Sequence, residues 1–235
     1  GGIIVEVTGL QKDTKVLSSN QKLDIVITIA RQIADEISTK FGDYRGTKSF
    51  YREPIRKYFK DKKMNFSIAK GSDKETGKPT MRNDIDEKYF VDLDNADWYA
   101  YNENYGTSEE KFLVKYLCNN LDGLKEKFKD IYLLRNERFF KLFRFSDGKA
   151  TEPDFVLFMN DKFSDKEVVY QLFIEPKGDH LLIHDELKEQ FLMEIEKESV
   201  IELYQNQEYR LIGMPFYNKV NKEDEFETKL NTINV

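Results

Sequence analysis

Apolar residues at 23, 26, 27, 30, 33, 34 and 37 fall on one face of a 3.6-residue repeat, which predicts an amphipathic helix over 19–39. A second, shorter helix is expected after Ser49, running to Tyr58 and Phe59. The Gly- and Lys-rich segment 70–79 breaks the pattern, and an irregular acidic and aromatic stretch follows it as far as Trp98. Beyond Trp98 the period changes. Helical stripes near 108–119 and 185–198 bracket strand-like runs near 131–134, 139–145, 154–159, 168–175 and 209–214. The runs DFVLFM and VVYQLFIE are apolar on successive positions, as in strands covered on both faces, and the polar stretch 160–167 joins them as an antiparallel pair. The last run, YRLIGMPF, is expected to end the sheet, and 218–235 reads as a polar tail. The pattern predicts an α/β chain in which a helical and irregular connector, 1–97, precedes a domain, 98–235, built on a central mixed sheet flanked by helices.

Composition narrows this picture. With 235 residues, 40% hydrophobic and 14% aromatic, the chain can fill a sizeable core. One cysteine, Cys118, excludes an internal disulfide and a cysteine-rich zinc site, and it reads as a small buried apolar residue. His180 and His184 are too few for a histidine-rich metal site; Leu181 to Ile183 look extended and Asp185 looks like a helix cap, so both histidines read as rim residues. No apolar run is long enough to span a bilayer and no leader pattern is present, so the expectation is a cytoplasmic protein without a membrane partner. The segment GDYRGTKS, 42–49, has Thr47 where a phosphate-binding loop needs glycine and does not follow an apolar strand. The chain therefore carries no ATPase motif.

Net charge is −6, but it is unevenly spread. Residues 40–82 hold thirteen Lys or Arg against five acids, and 125–144 hold seven against three, while 160–198 hold five against eleven. Basic stretches beside an acidic centre suit binding of a phosphate backbone next to a metal, with Arg135, Arg138 and Arg144 placed for backbone contact. A solvated polar surface accounts for the same lysines.

The candidate chemistry lies in Pro153-Asp154 and Glu175-Pro176-Lys177. Side chains two apart on a strand share a face, so Glu175 and Lys177 point the same way. Pro176 cannot sit mid-strand, which puts the acid and the lysine at a strand end, with Asp154 beside them if the two strands pair. Two carboxylates of that kind suit Mg²⁺, and the lysine can orient a nucleophile and add positive charge. The same residues also suit a solvated ion pair of small consequence. Upstream, Thr107 and Glu110 form a capping-box pattern at the start of the helix over 108–119. Glu110 is then either a cap alone or a third carboxylate facing the site, and Glu109 lies on a nearly adjacent face.

From Trp98 to about Ile195, the blocks WYAYNENYGTSEEKFLVKYL, IYLLRNERFFKLFRFSDGKATEPDFVLFMN, YQLFIEPKGDHLL and LKEQFL resemble the C-terminal nuclease region of the restriction subunit of type III restriction-modification enzymes and related helicase-nucleases. Those proteins belong to the PD-(D/E)XK superfamily. The resemblance implies a restriction-endonuclease-like fold that cleaves duplex DNA with Mg²⁺, with Mn²⁺ as a substitute. It implies that Asp154 and Glu175 are metal-binding acids joined by the backbone carbonyl of Pro176, that Lys177 is the catalytic lysine, and that Glu110 is the helix glutamate. It also implies that ATP is used only by a helicase region upstream in the same polypeptide, and that sequence recognition resides in a methyltransferase (modification) subunit. Relatives often carry Trp-Lys in the helix after the signature; here Leu187-Lys188 stands there, which is expected to alter packing beneath the site. A non-catalytic DNA-binding or docking module is the competing expectation.

Overall fold

Phe155, Leu157 and Met159 alternate with Val156 and Phe158 along one strand, and the two sets enter separate apolar clusters on the two sides of a sheet. In the computed structural model, residues 18–40, 45–50, 53–58, 63, 80–82, 84, 86–198, 202–204 and 207–233 are described. The helices are α1 (Ser19–Lys40), α2 (Ile55–Tyr58), α3 (Ser108–Lys127), α4 (Asp179–Leu182), α5 (Glu186–Glu198) and α6 (Glu223–Asn231). The strands are β1 (Phe128–Arg135), β2 (Leu142–Phe143), β3 (Ala150–Thr151), β4 (Phe155–Asp161), β5 (Glu167–Ile174), β6 (Glu202–Tyr204) and β7 (Gln207–Gly213).

The central sheet has the order β1-β4-β5-β7-β6. Among the described strands of this sheet only β5 and β7 run parallel, and the chain passes between them through α4, α5 and β6, the long crossover that a parallel pair requires. Leu113, Val114 and Leu117 of α3 join Phe226 and Leu230 of α6 in one cluster, while Phe191, Leu192 and Ile195 of α5 fill the other. A mixed sheet flanked by helices is thus the architecture. At Gly213 a Cβ would lie 1.7 Å from the Leu192 carbonyl oxygen, so β7 and α5 meet backbone to backbone and no side chain fits there.

Several expectations are corrected. The run 139–145 yields only the two residues of β2, paired with β3 in a separate two-stranded sheet. Its remainder is taken up by turns: Asn136 folds 136–140 back on itself, and Gly148 at φ 66° closes the turn joining β2 to β3. The polar tail contains α6, because Phe226 and Leu230 form a buried helical stripe amid charged neighbours, with Ile233 buried in the turn beyond it. The sheet ends not at β7 but at β6, a three-residue strand too short to show a period. Leu181 and Leu182 are helical and Ile183 begins the turn after them, none of the three extended, and Leu187 is 63% exposed, so it packs under nothing.

The chain divides into two compact units, Gly1–Arg45 and Gly46–Val235. In the first, α1 matches the predicted helix, and Leu23, Val26 and Ile27 on its apolar face are exposed. In the second, Met81, Val91 and Leu93 lie in the same core as α3, so residues on the N-terminal side of the expected 97/98 boundary contribute to it. Most of the basic stretch 40–82 lies outside the described residues.

Candidate active site

Register brings the two acids together. Phe155 of β4 pairs with Ile174 of β5, so Asp154 and Glu175, one residue beyond each strand, face each other across the antiparallel pair. The Asp154 amide donates to Glu175 Oε2 at 3.1 Å. Glu175 is 2% exposed, and its Oε1 accepts from Lys177 Nζ at 3.0 Å, as the shared face predicts. Lys177 Nζ also lies 2.6 Å from Asp185 Oδ2. The strand end is fixed by a bridge to Tyr217, made by the Glu175 carbonyl and the Lys177 amide on either side of Pro176, so the Pro176 carbonyl takes no part in it.

Two participants escaped the sequence. Lys188 of α5 donates to Glu175 Oε1 at 2.5 Å and to the Glu152 carbonyl at 3.0 Å, tying helix, sheet and the approach to Asp154 at one point. Asp185 stands where a cap would, with its carbonyl accepting from Lys188 N, but its side chain is turned to Lys177 instead. The sequence signal was the Asp185-x-x-Lys188 spacing on the first turn of a helix that follows the signature. His180 and His184 are exposed, in keeping with rim positions.

Glu110 reaches the site from α3, on the opposite layer. It completes the capping box, its Oε2 accepting from Thr107 N at 2.5 Å while Glu110 N donates to Thr107 Oγ1 at 3.5 Å. Its Oε1 is 2.7 Å from Arg135 Nη2. Glu110 is therefore a cap and an ion-pair partner at once. Glu109 instead accepts from Lys219 N at 2.8 Å. Arg135 lies between the rings of Tyr105 and Phe155 and also donates to Glu137, Asn104 and the Tyr105 carbonyl, so it is not free for a phosphate. Gly106 makes room for this arrangement: its φ is 132°, and a Cβ there would lie 2.2 Å from Glu110 Oε2. Gly106→Ala is expected to cost about 1–3 kcal/mol, measured by urea denaturation, through strain and loss of the Glu110–Arg135 contact.

Charge at the site is unevenly compensated. Burial, then the neighbouring Glu175 and Glu110 carboxylates, push the Asp154 carboxyl up to about 7, with Lys188 and Arg135 only partly opposing them. Among the described residues the Asp154 carboxylate makes no hydrogen bond or ion pair. Burial alone would lower the Lys177 pKa, but Glu175 and Asp185 outweigh it and raise it, which keeps the amine charged. Its hydrogen bond from Lys177 holds Asp185 below the ordinary carboxylate range. Among the described residues no three His, Cys, Asp or Glu side chains are grouped to hold a metal, so Glu110 does not complete a three-acid cluster. The Asp154 and Glu175 carboxylates, facing each other across the strand pair, are hard oxygen donors of the kind that Mg²⁺ takes while keeping several waters. The poorly compensated Asp154 carboxylate is what a divalent cation would satisfy.

A family model described as HI_1054_C, C-terminal domain, matches residues 49–233. An uncharacterized protein of Haemophilus influenzae is 33% identical over 228 residues, covering 93% of this chain and 45% of that protein. The chain thus spans less than half the length of this relative. No solved structure matches this chain. Among the described residues no helix is long and apolar enough to cross a membrane.

Proposed function

The chain belongs to the HI_1054_C C-terminal domain family, so its function has to be read from the chemistry of the site, and we propose that it is a divalent-metal-dependent DNA nuclease of restriction-endonuclease-like fold. One observation carries this reading: Asp154 and Glu175 converge across a strand pair, with the Lys177 ammonium 3.0 Å from Glu175. The order of the sequence blocks between Trp98 and Ile195 supports assigning it to the type III restriction, PD-(D/E)XK kind. In this account Asp154, Glu175 and the Pro176 carbonyl would hold Mg²⁺ or Mn²⁺. When bound, the ion supplies charge neutralisation and acidifies a water for attack on phosphorus.

The chain's own groups do the rest. Lys177, held charged by Glu175 and Asp185, places a cation beside the phosphoryl oxygens as charge builds on them, and does not serve as the proton acceptor. Lys188 fixes the rotamer of Glu175, and Arg135 holds Glu110 at the edge of the site as a further source of negative charge. Duplex DNA is the proposed substrate, with an ATP-driven helicase region and a modification subunit as partners in the longer protein.

The test is conversion of supercoiled plasmid to nicked and linear forms with Mg²⁺ or Mn²⁺. Wild type is expected to cut and Lys177→Ala to lose about 10²–10³-fold in rate. The variant should stay folded, because Lys188 still pairs with Glu175. Undiminished cutting by Lys177→Ala would remove the assignment, and cutting of RNA but not DNA would change the substrate. A docking module is the second reading, favoured by the two lysines that already neutralise Glu175 Oε1. It predicts neither cutting nor Mn²⁺ binding.

A further inference from the structure

Arginines 135, 138 and 144 approach Asp154 along the chain, and the structure employs them differently. Arg135 is consumed by Glu110, Glu137, Asn104 and Tyr105. Arg144 is consumed by the Asp147 carboxylate, through Nε at 3.0 Å and through Nη2. Arg138 is exposed, and among the described residues its side chain has no hydrogen bond or ion pair. Its backbone lies in the left-handed region at φ 63°, which is costly for any residue bearing a Cβ other than Asn or Asp. Glycine would occupy that position without strain.

The surroundings enforce the strain. Asn136 N donates to the Asp154 carbonyl at 2.7 Å, and Asn136 Nδ2 donates to the carbonyls of Pro153 at 3.0 Å and Phe140 at 3.1 Å. Asn136 Oδ1 in turn accepts from Phe139 N at 2.9 Å, closing a tight turn with Arg138 at its tip. That turn is fastened to the Pro153-Asp154 backbone itself. Strained positions held so firmly beside a site are where ligand contacts concentrate. A polyanion approaching Asp154, Glu175 and Glu110 also needs a free cation near those acids.

We propose that Arg138 is a backbone-phosphate contact for duplex DNA lying across the Asp154–Glu175 site, its guanidinium fork engaging one phosphate. The inference rests on the nuclease reading above. It also explains why arginine stands in a backbone position that favours glycine.

The test is anisotropy titration of a short labelled duplex, with Ca²⁺ replacing Mg²⁺ so that binding is read without cutting. Arg138→Ala is expected to bind roughly tenfold more weakly at low salt, and the log–log slope of affinity against salt should shrink by about 1. Arg138→Lys should keep the slope while recovering part of the affinity. Arg138→Gly should bind as weakly as Arg138→Ala, yet melt at or above the wild-type temperature. Mn²⁺ affinity should be unchanged in all three. Wild-type affinity and salt slope in Arg138→Ala, in a protein that does cut plasmid, would overturn the proposal. If wild type binds Mn²⁺ but neither binds nor cuts duplex, the nuclease reading fails first and this inference fails with it.

Discussion

Asp154→Asn is expected to abolish plasmid cutting and Mn²⁺ binding while making the protein more stable at pH 8. The two effects share one cause. Asp154 faces Glu175 across the strand pair and feels Glu110 as well, and its carboxylate makes no hydrogen bond or ion pair among the described residues. Its carboxyl titrates at about 7 in the folded chain against 3.8 unfolded. Between those values the folded protein holds a proton that the unfolded chain has released, so stability contributed by this group falls as pH rises from about 4 to about 7 and stays low above it. An amide of the same shape carries no charge to desolvate. The gain at pH 8 should be on the order of 4 kcal/mol, shrinking toward zero near pH 4, and melting curves at the two pH values measure it. A variant that loses cutting and is equally destabilised at both pH values would show that Asp154 is structural.

Glu175→Gln should also abolish cutting but with the opposite effect on stability. The Glu175 carboxylate is 2% exposed and is the common acceptor for Lys177, Lys188 and the Asp154 amide. Removing its charge leaves two partly buried ammonium groups short of a counter-ion, and breaking a buried pair in this way costs roughly 3–5 kcal/mol. Asp185 and the Glu152 carbonyl remain as partners for Lys177 and Lys188, which places the loss at the lower end of that range. The expected result is a denaturation midpoint well below wild type. Two acids of one site thus separate by the sign of their stability effect. If both variants moved stability the same way, the charge accounting at the site would be wrong.

The strands that carry the site were legible because they are long and apolar on both faces, and their pairing followed from the polar connection between them. Pro176 and the two-residue spacing of Glu175 and Lys177 located the strand end, and the 3.0 Å contact between their side chains agrees. What stayed hidden depended on tertiary partners. Glu110 matched both a cap and a site acid in sequence; only the position of Arg135 assigns both its oxygens to structural contacts. Lys188 was noticed as part of a dipeptide, but its reach to Glu175 needs the crossover that lays α5 against the sheet. In α6 the apolar residues are outnumbered by charges, so composition masked a stripe that three-dimensional packing makes plain. The arginines at 135, 138 and 144 were indistinguishable by residue type and are told apart only by what each one touches.

The most direct test is calorimetric titration of the wild-type chain with Mn²⁺ at pH 6 and pH 8. An ion that must displace the Asp154 proton binds about tenfold more tightly at pH 8 than at pH 6 for a carboxyl titrating near 7, and releases that proton on binding at pH 6. One Mn²⁺ site with that pH dependence is expected, lost in Asp154→Asn. No binding by wild type, or equal binding by Asp154→Asn, would contradict it.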